Sequence, residues 1–181
     1  MHYQLNIKLT DEDYLAFNVF HNLESKDGKK MVIKGRMIFS GMILLLSAAY
    51  LLLKGWGIES VIYLALVIII SAIYLVRYKK GMIRSMRNHI NRLKKKGKLP
   101  FDPESTLEFY EDRFVEITPT CRSERDYHIL ERICVLKDRY LLLYNSSIGA
   151  YILPIPQIKK QTNLQEFLDF IMSKCSTVEH Y

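Results

Sequence analysis

The sequence predicts an α+β membrane protein in which a two-helix transmembrane hairpin is inserted into a β-rich cytosolic domain closed by a C-terminal helix. Three observations carry that prediction. Met37–Leu53 and Ser60–Val76 hold no charged residue, and only Lys54 and Glu59 stand between them. The segment before these runs opens on an alternating strand pattern, and the segment after residue 98 is a series of short strand patterns. Leu164, Phe167, Leu168 and Ile171 then recur at helical spacing.

The charge of the 181 residues is unevenly placed. Residues 1–36 carry 6 Lys+Arg against 5 Asp+Glu, residues 77–98 carry 10 against none, and residues 99–181 carry 9 against 13. The excess base is therefore one block directly after the second apolar run. Nucleic-acid binders spread base over a folded face with polar or aromatic readers, so no nucleic-acid partner is expected. A basic block beside a span reads as an orientation and lipid signal.

Each run is 17 residues long, near the lower limit for crossing a hydrocarbon core of about 30 Å. Tyr50 and Trp56 stand near one side of the pair, Tyr74 and Tyr78 near the other, where aromatic rings favour the interface. The link Lys54-Gly55-Trp56-Gly57-Ile58-Glu59 leaves room only for a tight hairpin. Lys29, Lys30, Lys34 and Arg36 precede the first span, and Arg77, Lys79, Lys80, Arg84 and Arg87 follow the second. The positive-inside rule then places both termini in the cytoplasm of a two-span cell-membrane protein. Those last five residues are the expected contacts for anionic lipid headgroups. Ser40 and Ser47, Gly41 and Ala48, and Ala65 and Ala72 form small-residue stripes, read as packing within the hairpin. Homo-oligomerisation stays open.

The expected organisation has four parts. Residues 1–36 supply a strand and a helix packed with the cytosolic domain, and residues 37–76 the hairpin. Residues 77–98 form a basic juxtamembrane helix, and residues 99–181 the β-rich domain. Tyr3–Leu9 alternates strictly. Thr10 is placed to cap a helix, with Asp13 in the capping-box position. Ile83, Met86, Ile90 and Leu93 share one face of the basic helix, which Gly97 ends. Strands are expected over Thr106–Tyr110, Arg113–Thr118, Tyr127–Leu136, Arg139–Tyr144 and Ala150–Leu153. Turns fall at Glu111-Asp112, Lys137-Asp138 and Ser146-Ser147-Ile148-Gly149. Pro154 and Pro156 stop the last strand, and Asn163 caps the final helix. Because both termini share a compartment, Tyr3–Leu9 can complete the sheet of the later domain.

This order of elements resembles the YcxB-like family of small bacterial membrane proteins over nearly the whole chain. The motifs that carry the likeness are Thr10-Asp11-Glu12-Asp13-Tyr14, the paired spans and the strand pair of Arg139–Pro154 ending in Tyr151-Ile152-Leu153-Pro154. The resemblance implies a pleckstrin-homology-like (PH-like) split barrel for the β-rich unit and carries over no active-site residue.

Catalytic chemistry has no signature in the sequence. Cys121, Cys134 and Cys175 lack metal-ligand spacing, and the five histidines are scattered. No glycine-rich phosphate loop or nucleophile elbow is present. Glu124 and Asp126 lie among Arg122, Arg125 and Arg132, which reads as ion pairing on a solvated face. A non-enzyme without a cofactor is expected. Its PH-like module would take a protein or peptide partner, with strand addition to an open edge as one mode. The alternatives are an immunity protein against a toxin or bacteriocin and an accessory subunit of a transporter.

Overall fold

A computed structural model describes residues 1–55, 57–147 and 149–181. Trp56 and Ile148 lie outside the described residues, and with them the interfacial placement of Trp56 and the centre of the Ser146–Gly149 turn. The chain is α+β, with two long apolar helices and two β-sheets. It divides into residues 1–17 with 97–181, and residues 18–96.

In the first unit, β1 (Tyr3–Lys8) buries Leu5 and Ile7 and exposes Gln4, Asn6 and Lys8, as a period of two requires. It pairs antiparallel with β2 (Glu104–Phe109), setting Leu5 opposite Leu107 and Ile7 opposite Ser105. β3 (Arg113–Ile117) and β4 (Arg122–Asp126) extend this sheet in the order β1-β2-β3-β4. The second sheet is built from β5 (Arg132–Leu136), β6 (Tyr140–Tyr144) and β7 (Ala150–Pro154). β8 (Val178–His180) joins β5 in parallel, giving the order β7-β6-β5-β8.

One apolar cluster draws on both sheets, with Leu5, Ile7, Phe109, Phe114, Ile133, Leu141, Leu143 and Leu153 at its centre. Two helices complete it. α4 (Ile155–Lys159) contributes Ile155 and Ile158, and α5 (Leu164–Met172) contributes Phe167 and Ile171. The Phe167 ring stands edge-on to Phe109 at 5.1 Å and to Tyr3 at 5.3 Å. Burying one such side chain contributes roughly 1.5–3 kcal/mol, so the first strand and the last helix are tied through the same ring. Asn163 caps α5 by accepting from the Gln165 N–H at 3.1 Å.

Several segments differ from the sequence expectation. The expected strand Tyr127–Leu136 is interrupted by a 3₁₀ turn over Tyr127–Ile129, and strand structure also occupies Arg122–Asp126, which has no apolar residue. Pro154 and Pro156 end β7 by opening α4, because proline suits the first turn of a helix. β8 is three residues long and gives no alternation to read. The expected ion pairing of Glu124 across the sheet is present, with Arg113 of β3 as its partner at 2.7 Å.

α1 (Asp11–Val19) opens on a reciprocal cap. The Asp13 N–H donates to Thr10 Oγ1 at 3.2 Å, and Asp13 Oδ2 accepts from the Thr10 N–H at 2.8 Å. In the second unit a π-helical turn, Phe20–Glu24, leads into α2 (Lys26–Lys54), and α3 (Ile58–Lys95) follows. Ser25 governs the corner: its Oγ accepts from the Gly28 N–H at 3.0 Å and donates to the His21 carbonyl at 2.7 Å. A Cβ on Gly28 would lie 2.4 Å from the His21 carbonyl oxygen, so only glycine fits.

α2 and α3 run side by side, matched in level by aromatic pairs. Tyr50 stacks on Tyr63 at 4.2 Å, Phe39 stacks on Tyr74 at 3.9 Å, and Lys54 meets Glu59 at 3.9 Å beside the connection. Of the small residues expected to line this contact, Ser47 is buried, whereas Ala65 and Ala72 face outward. The stacked rings, rather than alanine stripes, set the helix contact.

Candidate functional site

Over residues 37–53 of α2 and 60–76 of α3 the surface is apolar on nearly every side. The most hydrophobic 18-residue stretch of each is 6% buried, and Leu52 and Leu53 are each 87% exposed. At 1.5 Å per residue the helices measure ~44 Å and ~57 Å, long and apolar enough to span a membrane. Exposed apolar patches on water-soluble monomers rarely exceed a few hundred Å².

The five basic residues singled out in the sequence are all exposed on α3, and they do not all lie on one face. Arg77, Lys80, Arg84 and Arg87 recur at i, i+3, i+7 and i+10 and so share one face. Lys79 lies off that face and pairs with Glu24 at 2.9 Å. Ile83, Met86, Ile90 and Leu93 form the sheltered face of the same helix, with Ile90 buried. α3 therefore continues unbroken through Gly81 to Lys95, and Gly97 takes a left-handed φ of 64° beyond it.

The β-rich unit holds a cleft of about 460 Å³, which the sequence did not disclose because its walls come from five separate segments. Leu9, Tyr14 and Phe17 form one wall, Phe101 and Asp102 another, with Glu116 and Arg125 from β3 and β4 and Tyr151 from β7. Tyr14 stacks on Phe101 at 4.9 Å. Burial pushes the Glu116 carboxyl above the usual range, the charge of Asp102 adds to this, and Arg125 opposes it. Burial also raises the Tyr151 hydroxyl, with Glu116 adding and Arg125 opposing. The cleft thus has aromatic walls and a mixed-charge floor.

The sheet edges differ in availability. β1 has its outer edge covered by glutamine side chains from α4 and the turn after it, and the second sheet ends on β7 at one side and the three-residue β8 at the other. β4 has a hydrogen-bonded neighbour on one side only and carries Arg122, Glu124, Arg125 and Asp126. Charge on an edge strand resists pairing with another chain. Asp13 Oδ1 accepts a 2.7 Å hydrogen bond from Tyr140, whose hydroxyl is pushed up by burial and then by that bond.

Among the described residues no group of three or more His, Cys, Asp or Glu is placed to hold a metal ion. The three cysteines form no disulfide with one another, with Cys121 exposed, Cys134 buried and Cys175 between. No protein-family model, curated protein or solved structure matches the chain.

Proposed function

We propose that this chain is a non-enzymatic, two-span protein of the bacterial inner membrane that presents a cytosolic PH-like module to a protein or peptide partner. The observation that carries the membrane half is the exposed apolar surface of α2 and α3. In water that surface would drive aggregation, whereas in a bilayer it needs no cover. Aromatic pairs near both ends and a basic stripe beginning where the apolar run stops support an orientation with both termini in the cytoplasm.

A four-strand meander, a three-strand meander and a following helix make up the order expected of a PH-like split barrel, in keeping with the YcxB-like resemblance. The cleft between Tyr14, Phe101, Glu116 and Tyr151 supports partner binding there. Strand addition to the first sheet is the weaker mode, since its β1 edge is covered by Gln157 and Gln161 and its β4 edge is charged.

A photo-crosslinking residue placed at Arg125 in the full chain, expressed in its native membrane, tests this. The proposal predicts a discrete crosslinked protein that a probe at Asp138, in the β5–β6 turn, does not give. The same products from both positions, or none from Arg125, would contradict it.

A further inference from the structure

A groove of about 390 Å³ runs along α3, lined by Ile73, Tyr74, Tyr78 and Met82, with Arg77 at its side and Gly81 in its floor. The surface it presents is almost wholly apolar although Arg77 and Ser85 belong to its lining, and a Cβ added to Gly81 would meet nothing within 4 Å. Tyr78 links this groove to α2, because the Arg36 guanidinium sits 5.3 Å from the centroid of its ring. The pairs Phe39–Tyr74 and Tyr50–Tyr63 fix the level of the two helices, and by the same register Arg36 stands level with Arg77. Both arginines therefore mark the end of a charge-free run.

Arg36 has no carboxylate partner among the described residues, and its Nε is shut from solvent without an acceptor. One arginine in the groove's lining, and a second at the same helix level held over the ring of the lining residue Tyr78, match one chemistry: a phosphodiester with a hydrocarbon chain. We propose that Arg36, Arg77 and the Tyr74–Gly81 groove form a specific site for one anionic phospholipid, with the phosphate on the arginines and an acyl chain over Gly81. The site rests on the membrane reading above. It differs from the diffuse attraction that the stripe of Lys80, Arg84 and Arg87 exerts on any anionic surface.

Native mass spectrometry of the detergent-solubilised full chain with added phosphatidylglycerol or phosphatidylcholine tests this. The expected result is one retained phosphatidylglycerol, preferred over phosphatidylcholine and not displaced by inorganic phosphate. Arg36→Gln, Arg77→Gln and Gly81→Leu should each weaken retention about tenfold, the scale of one charge-assisted bond or one lost apolar contact surface. Lys80→Gln should change it little. Gly81→Leu alters no charge and improves helix propensity, so it keeps the test sound even if an arginine variant misfolds. Unchanged retention in Gly81→Leu, equal losses in Arg36→Gln and Lys80→Gln, or displacement by inorganic phosphate would overturn the site. Release of the full chain from membranes by alkaline carbonate would instead overturn the membrane reading on which it rests.

Discussion

Gln161 closes the outer edge of β1 at Asn6: its side-chain carbonyl accepts from the Asn6 N–H at 2.7 Å, and its amide donates to the Asn6 carbonyl at 2.9 Å. Gln157 repeats the pattern two residues along, accepting from the Lys8 N–H at 2.9 Å and donating to the Lys8 carbonyl at 2.7 Å. Asn6 and Lys8 point their main-chain groups to the same side, as alternate residues of a strand do. Two glutamines four residues apart thus stand in for a neighbouring strand. Gln157→Ala with Gln161→Ala should cost about 1 kcal/mol per lost bond at most and leave an open edge that promotes self-association. Denaturant unfolding and light scattering of the full chain in detergent would register both effects; an unchanged midpoint and a monodisperse sample would refute the role.

The β1–β2 pairing makes the first unit discontinuous in sequence. Leu5 and Ile7 are 0% and 2% exposed in the core shared by both sheets. Leu5→Ala with Ile7→Ala should cost several kcal/mol, at ~2–5 kcal/mol for each large-to-small change. Limited proteolysis should then cut within residues 99–181, although the substitutions lie elsewhere. Protection equal to the wild type would contradict a shared core.

Two glycines of the helical unit should respond in opposite directions. Gly28→Ala forces a methyl against the His21 carbonyl and must shift the Ser25 corner, so thermal stability should fall. Gly81→Ala enters open space on an exposed helix and should stabilise by ~0.5–1 kcal/mol through propensity alone. Melting curves in detergent check the pair, and equal behaviour of the two variants would deny the tight corner.

Glu116 gives the first unit a pH dependence of definite sign. Burial raises its folded carboxyl above the unfolded value, so between the two values the folded chain holds a proton that the unfolded chain has lost. Stability contributed by this group is therefore present in acid and falls as pH rises through that window. Glu116→Gln should be more stable than the wild type at neutral pH, with the difference shrinking below the ordinary carboxylate range. A constant difference across pH, followed by thermal unfolding, would show that the Asp102 and Arg125 surroundings do not act through its charge.

Much of the architecture was legible because its signals are local. The alternation of Tyr3–Leu9, the Thr10–Asp13 box and the Asn163 cap each need only neighbouring residues to be read. The elements missed depend on distant partners or on ambiguous residues. β8 exists because β5 offers it a parallel edge, and α4 because Pro156 falls in a first turn where proline is tolerated. The cleft was invisible for a related reason, since Tyr14, Glu116 and Tyr151 meet only after both sheets form. The five basic residues were chosen on charge alone, and in the structure Lys79 pairs with Glu24 while the other four share a face of α3.

The central claim is that α2 and α3 cross the membrane with both termini in the cytoplasm, and two thiols can report it most directly. Cys121 is exposed in the β-rich unit, while Cys134 is too buried to serve. A second reporter is Ile58→Cys, because Ile58 is 82% exposed at the start of α3, beside the connection between the helices. With a membrane-impermeant thiol reagent, intact cells should label the Ile58→Cys thiol and leave Cys121 untouched until the membrane is permeabilised. Labelling of Cys121 in intact cells, or of the Ile58→Cys thiol only after permeabilisation, would contradict the account.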